Sequence, residues 1–185
     1  SDIWRVQGAF FRLNYDYRSK YLLEVNGRYD GSSKYAKHDR WAFFPSASVG
    51  WRISEEKFFK SLSKVVDNLK IRASIGALGN QITDGNHSFM SIISGKVLTN
   101  YMMDGKIVNG LNIPTLPSMV TWEKVITKDI GLDWSLFKNR LFGSFDFYVR
   151  DTKDMVRSVT LPAVLGTSGG KENIADMRTV GWELE

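Results

Sequence analysis

The chain has no cysteine, so neither a disulfide framework nor a thiolate metal site is available to it. Histidine is nearly as scarce. His38 and His87 are the only two, each isolated among loop-like residues, whereas a metal centre needs several ligands at defined spacing. Both are read as loop side chains, and no metal or cofactor is expected. No stretch approaches the run of about 18 apolar residues that makes a membrane helix, which leaves β-barrels open because their strands alternate and dilute their own signal. A block of one charge is also missing. The 25 Lys and Arg are spread among 20 Asp and Glu, so the net charge of +5 reads as solvated surface or polar lumen, and no nucleic-acid partner is expected. Ser168-Gly169-Gly170 and Gly76-Ala77-Leu78-Gly79 do not make a phosphate loop ahead of a helix. Asp129 and Asp133 have the same parity on one strand; a glycosidase pair is conceivable, but a polar lining is the preferred reading. No catalytic residue is expected, and the chain is not read as an enzyme.

What is present is alternation. Ala9, Phe11, Leu13, Tyr15 and Tyr17 are apolar or aromatic, with Arg12, Asn14 and Asp16 between them. After the basic turn Arg18-Ser19-Lys20 the odd series resumes as Tyr21, Leu23, Val25, Gly27 and Tyr29, against Glu24, Asn26, Arg28 and Asp30. Period-two alternation gives a strand with one oily and one wet face, and pairing Tyr17 with Tyr21 puts both oily series on the same face. Tyrosines cluster at the turn and at the far end with aliphatic residues between, as in strands of about 10 residues crossing a bilayer between aromatic girdles.

The pattern recurs. A third strand runs from about Phe43 to Ile53, with Ser46, Ser48, Gly50 and Arg52 opposing the apolar positions. Residues 54–68 change period, and Phe58, Phe59, Leu62, Val65 and Val66 suggest a short amphipathic helix behind a partial N-cap at Ser54. A fourth strand carries Leu69, Ile71, Ala73, Ile75 and Ala77 on one side. Residues 79–120 lose periodicity and read as a long loop. Residues 122–136 restart with Ile126, Ile130, Leu132, Trp134 and Leu136 oily, and the turn 137–140 leads to Leu141, Gly143, Phe145, Phe147 and Val149. Pairing Leu136 with Leu141 sets Trp134 over Gly143. A second long loop, 152–178, precedes a seventh strand that is still alternating at Glu185. Because the chain starts and stops inside strands, it is expected to be a segment of a longer one.

Short links near 18–20 and 137–140, against long ones at 31–42, 79–120 and 152–178, match the periplasmic turns and extracellular loops of an outer-membrane barrel. The expected fold is therefore all-β: about seven strands of an antiparallel transmembrane barrel spanning 1–185, with the 54–68 insertion at the periplasmic rim and 79–120 as an extracellular loop. Phe11, Leu13, Tyr15, Tyr21, Leu23, Val25, Trp134, Phe145 and Phe147 are expected to face lipid. Arg12, Asn14, Glu24, Asn26, Arg28, Asp133, Asp146 and Arg150 are expected to face the lumen. Trp41, Tyr101 and Trp122, in or beside long loops, could stack on sugars, although loop anchoring is the more ordinary role for each. A soluble all-β carbohydrate-binding module would also alternate, but would not place aromatics in belts near strand ends. A passive porin shares the strand pattern.

Several long blocks resemble a known family. RLNYDYRSKYLLEVNGRYDGSSKYA (12–36), RWAFFPSASVGWRISEEKFF (40–59), LKIRASIGALGNQ (69–81), TWEKVITKDIGLDWSLFKNRLFGSFDFYVRDTKDM (121–155) and LPAVLGTSGGKENIADMRTVGWELE (161–185) are similar to the barrel of SusC/RagA-type TonB-dependent transporters of Bacteroidetes outer membranes. Residues 82–120 match least. The resemblance implies a barrel of about 22 strands with a plug domain inside it. It also implies a SusD-like surface lipoprotein as lid, TonB acting through N-terminal regions that this sequence does not contain, and import of oligosaccharides or, as a known variation, peptides. Neither plug nor TonB-contacting segment is present here, and the family tie is what disfavours a passive porin.

Overall fold

The computed structural model describes residues 3–81, 96–112, 120–162, 164 and 169–185, with backbone alone over 96–103 and 107–112. Seven strands form one antiparallel sheet: β1 (Val6–Tyr17), β2 (Tyr21–Ser32), β3 (Trp41–Arg52), β4 (Val66–Asn80), β7 (Glu123–Leu136), β8 (Leu141–Ser158) and β9 (Lys171–Leu184), in the order β1-β2-β3-β4-β7-β8-β9. Between β4 and β7 the chain forms a separate hairpin of β5 (Lys96–Met103) and β6 (Lys106–Asn112).

Register follows the apolar parity. One pairing row runs Tyr17, Tyr21, Trp51, Ile71, Leu132, Phe145 and Leu184 across the whole sheet, so the oily residues of every strand share a face. The Tyr17–Tyr21 and Leu136–Leu141 closures and the placement of Trp134 beside Gly143 are those the sequence leads one to expect. Both short turns are built from left-handed residues that are not glycine: Arg18 and Ser19 in one, Phe137, Lys138 and Asn139 in the other, with φ between 55° and 60°. That conformation costs about 1–2 kcal/mol per residue, and carboxylates help hold it. Asp16 accepts from the Ser19 amide at 2.7 Å, and Asp67 accepts from the Asn139 amide at 2.9 Å. Pro45, which has no N–H, pairs with Gly27 of β2 and lies just beyond Ser46, where the β3–β4 ladder begins.

Three segments differ from the sequence reading. The amphipathic helix expected over 54–68 is two short 3₁₀ turns, Ile53–Glu55 and Lys57–Ser61, and β4 has begun by Val66. Neither turn has a side-chain cap. Glu56 is instead drawn to Lys20, Tyr21 and Trp51, and only Phe59 of the apolar set is buried. Residues 79–120 are not loop throughout, since β4 continues to Asn80 and 96–112 hold a hairpin; residues 82–95, with His87, and 113–119 lie outside the described residues. The 152–178 loop shrinks because β8 runs to Ser158 and β9 starts at Lys171. Irregular register at Thr152–Val156, where Asp154 has φ 57°, breaks the alternation that would have revealed the strand.

A single sheet has no second layer to bury its face. Among the described residues the buried hydrophobics are Phe59 and a cluster of Tyr35, Phe44, Val120 and Trp122, backed by Ala42 and Val156. This cluster draws together the segment after β2, β3 near its start, the lead-in to β7 and the far part of β8. Trp122, 3% exposed, packs its ring 5.1 Å from Tyr35 and 5.5 Å from Phe44, and its indole N–H donates to the Arg40 carbonyl at 3.3 Å. Phe44 also covers Gly79, where a Cβ would collide with its ring. Replacing Trp122 with Ala is expected to cost about 3–5 kcal/mol. The effect should appear in the full-length protein as faster proteolysis of the 33–40 segment, while the sheet's strand content by circular dichroism stays unchanged.

Candidate functional site

The sheet offers two chemically opposite faces. On the wet face, hydrogen bonds run across strands. Arg12 Nε donates to Asn26 Oδ1 at 2.8 Å, and Asn26 Nδ2 donates to Glu24 Oε1 at 2.7 Å. Arg12 also lies 3.8 Å from Glu24, and Arg28 lies 2.9 Å from Asp30. A second network joins β4, β7 and β8. Arg72 Nε contacts Asp133 at 3.0 Å, Arg72 Nη2 contacts Asp146 at 2.6 Å, and Lys70 approaches Asp133 at 3.6 Å. Arg72, Gly131 and Asp146 occupy one pairing row, so the guanidinium crosses an entire strand to reach its partner. Gly131 leaves this path clear, because a Cβ there would meet the Asp146 carboxylate and the Arg72 guanidinium and force them to shift.

The structure thus brings six of the eight expected lumen residues into these networks. Of the other two, Asn14 lines a smaller recess with Lys70, Arg72 and Asp129, and Arg150 lies 6.0 Å over the Tyr148 ring. A trough of about 1020 Å³ opens over Arg12, Glu24, Asn26, Ser48, Ser74 and Thr127. Two residues in it were missed from sequence: Phe10, 82% exposed, and Leu78, which hold wet-face positions in otherwise regular strands. An apolar residue breaking the polar series is the signal that could have found them.

The oily face carries the nine expected lipid-facing residues at one parity. Leu13 faces Val25, Tyr15 faces Leu23, and Phe145 and Phe147 pair with Leu184 and Trp182. Aromatic stacks mark its ends: Tyr17 on Tyr21 at 6.4 Å, and Tyr29 on Trp41 at 5.1 Å with planes 9° apart. The three loop aromatics therefore part company. Trp41 belongs to this oily face, stacked on Tyr29 yet still 43% exposed, whereas Trp122 is a buried anchor with no free ring face for sugar stacking. Tyr101 lies in β5, and its side chain is outside the described residues. His38 is exposed and lies 2.8 Å from Asp39.

Polar clamps at the strand ends also escaped the sequence reading. Buried Glu123 accepts from Asn80 Nδ2 at 3.1 Å and from the Val156 amide at 2.8 Å, tying β4 and β8 to the start of β7. Asn173 accepts from the Thr121 amide at 2.8 Å and donates to the Thr121 and Asp154 carbonyls. At the opposite rim, hydrogen bonds from Tyr21 and Lys20 hold the Glu56 carboxyl below the usual range. Burial, reinforced by the Glu123 charge, pushes the Tyr35 phenol up to about 12, and its hydroxyl has no hydrogen-bond partner among the described residues. A raised phenol pKa favours the neutral folded form. Below the ordinary pKa of about 10 the phenol is neutral in both states and there is no penalty, and stability falls as pH rises from there through about 12. Tyr35→Phe is expected to be neutral to stabilising at pH 7, because it removes an unsatisfied buried hydroxyl. It should also abolish that alkaline loss, read as protease resistance of the 33–40 segment against pH.

A single antiparallel sheet with an aromatic-girdled oily face and a hydrogen-bonded polar face is a stretch of transmembrane β-barrel wall. The chain belongs to the TonB dependent receptor-like, beta-barrel family, which matches residues 3–185 and places it in the outer membrane. It is similar to TonB-dependent receptor P26 of Formosa agariphila, 33% identical over 181 residues that make up 98% of this chain and 18% of the relative. It is 32% identical to TonB-dependent receptor SusC of Bacteroides thetaiotaomicron over 179 residues, 95% of this chain and 18% of SusC. Among solved structures, the RagAB peptide importer in its 'open-open' state superposes with a TM-score of 0.80 at 30% identity, over 98% of this chain and 19% of that one. The chain therefore spans less than a fifth of the length of these relatives.

Proposed function

We propose that this chain is about a third of the wall of an energy-coupled importer, with the wet face lining the lumen and the oily face against lipid. The observation that carries the facing is the separation of the two faces. Over the span between the aromatic stacks, cross-strand ion pairs and amide hydrogen bonds occupy one parity and aliphatic residues the other. Charged side chains are expensive against hydrocarbon and ordinary in a hydrated lumen. In this reading the 54–68 segment sits at the periplasmic rim and the 79–120 segment outside the cell. The polar lumen wall faces a plug domain carried elsewhere in the full-length protein, and Phe10 and Leu78 add apolar contacts for plug or cargo.

The full-length protein would import nutrients at the expense of TonB, under a SusD-like surface lipoprotein. Similarity to SusC supports oligosaccharides as cargo, and likeness to RagAB favours peptides as the second reading. Deleting the gene in its host should abolish accumulation of labelled oligosaccharide and leave peptide uptake unchanged. The reverse pattern would establish the peptide reading, and accumulation insensitive to an uncoupler would establish a passive pore. The facing has its own test. Leu13→Arg, Val25→Arg or Phe147→Arg should each cost about 2–4 kcal/mol near the bilayer midplane and reduce the heat-resistant, outer-membrane-assembled fraction. Asn26→Arg and Ser144→Arg should assemble normally, and equal assembly of both sets would overturn the assignment.

A further inference from the structure

The oily face is not apolar throughout. On β7, β8 and β9, positions of lipid-facing parity near the far ends of the strands are charged. Lys128 shares a pairing row with Ile75, Val149 and Val180. Asp151 and Arg178 occupy the next row with Ala77 and Ile126, and Lys124 and Lys153 pair beyond them.

Their height in the membrane follows from the register. The row through Tyr21, which closes the first turn, reaches β8 at Phe145, four residues past the turn-closing Leu141. Pairing rows therefore climb by about one residue per strand, as tilted barrel strands require. Tyr29 and Val149 each stand eight residues above their own turn, which at a tilt of about 40° and a rise of about 3.3 Å is about 20 Å up the wall. The Tyr29–Trp41 stack marks the edge of the apolar band on β2 and β3. Lys128 beside Val149, with Asp151 and Arg178 one layer higher, marks the same edge on β7–β9.

The patch is built rather than merely basic. Asp151 is buried and grips Arg178 through two bonds, 2.6 Å to Nε and 3.2 Å to Nη2. The rest of the guanidinium faces outward, with the Arg178 side chain 67% exposed. Lys128 and Lys153 are exposed, make no hydrogen bond or ion pair closer than 4 Å among the described residues, and lie near enough for their charges to act on Asp151. Lys124 is 3.9 Å from Asp154. With Asp176, which accepts from the Asp154 amide at 3.1 Å, four cations face three carboxylates, and the surplus is still positive.

We propose that Lys128, Lys153 and Arg178 form a docking site on the outer wall for the phosphate groups of outer-leaflet lipids. A face turned away from the lumen meets lipid, and lysines among Ile75, Ile126, Ile130 and Val149 are best tolerated where an anionic headgroup reaches them. A guanidinium held on one edge and open on the other suits bidentate contact with phosphate oxygens. The inference rests on the proposed facing, whose failure would be seen separately in the Leu13→Arg assembly test.

The test uses the full-length transporter in phosphatidylethanolamine nanodiscs doped with lipid A, which carries phosphates on a glycolipid, or with enzymatically dephosphorylated lipid A. Lipid retained by the protein is counted by native mass spectrometry. Retention of the phosphorylated form should exceed that of the dephosphorylated form, and Lys128→Gln/Lys153→Gln should weaken it about tenfold, at unchanged assembly. That double variant leaves the Asp151–Arg178 pair intact, so misfolding does not confuse the readout. Equal retention of the two lipids, or of wild type and variant, would overturn the proposal. Displacement of lipid A by inorganic phosphate alone would also overturn it, by showing a free-anion site instead of a lipid one.

Discussion

Everything in this structure depends on backbone pairing between strands. In a bilayer no water is available to an unpaired amide or carbonyl, so a β-structure is viable there only if each strand finds a neighbour on both sides. The seven-stranded sheet meets that condition in β2, β3, β4, β7 and β8, each hydrogen-bonded on both flanks, while β1 and β9 form its two edges. Register is the consequence that matters most. Because side chains alternate, a slip of one residue in any strand would carry its tyrosines and leucines to the wet face and its arginines and aspartates to the oily one. The unbroken row from Tyr17 to Leu184 shows that no slip crosses the body of the sheet, the shifts being confined to Val66–Asn68 and Thr152–Val156.

Once register is set, the wet face becomes a lattice. The charges of β1 and β2 pair with one another, and those of β4, β7 and β8 converge on Arg72. Gly131 matters here for what it lacks, since its bare Cα lets one guanidinium bridge carboxylates on two different strands. Such ladders are individually modest when hydrated. Their value in a wall lies in holding the wet face in one arrangement. The oily face has the converse logic. It has no second layer, and its large side chains are left open by the protein itself, as a surface completed by lipid would be.

The rim obeys different rules. Above Ser46 and Gly76 the β3–β4 ladder stops, and the protein closes that region with a small core of Tyr35, Phe44, Val120 and Trp122 and with the buried carboxylate of Glu123. Among the described residues it is the one place that behaves like a soluble domain, packing rings against rings and satisfying amides with side chains. It ties the segment after β2 to the lead-in of β7.

Much of this was legible without coordinates. Alternation around Arg18-Ser19-Lys20 and around residues 137–140 determined the strand pairs, their register and which residues share a face, because period two is a local property of the chain. The class of protein followed from the same pattern, and the family from ordered blocks such as residues 121–155. What alternation cannot carry was decided only by tertiary structure. The 54–68 helix gave way to two 3₁₀ turns because Glu56 is held by Lys20 and Tyr21, which lie far from it in sequence. The end of β8 was hidden by irregular register that breaks its own parity. Trp41 and Trp122 look alike in the sequence, yet one stacks on Tyr29 across a strand pair and the other is enclosed by Tyr35 and Phe44, because burial depends on which distant segments arrive. Strand parity is written locally; neighbours across a gap are not.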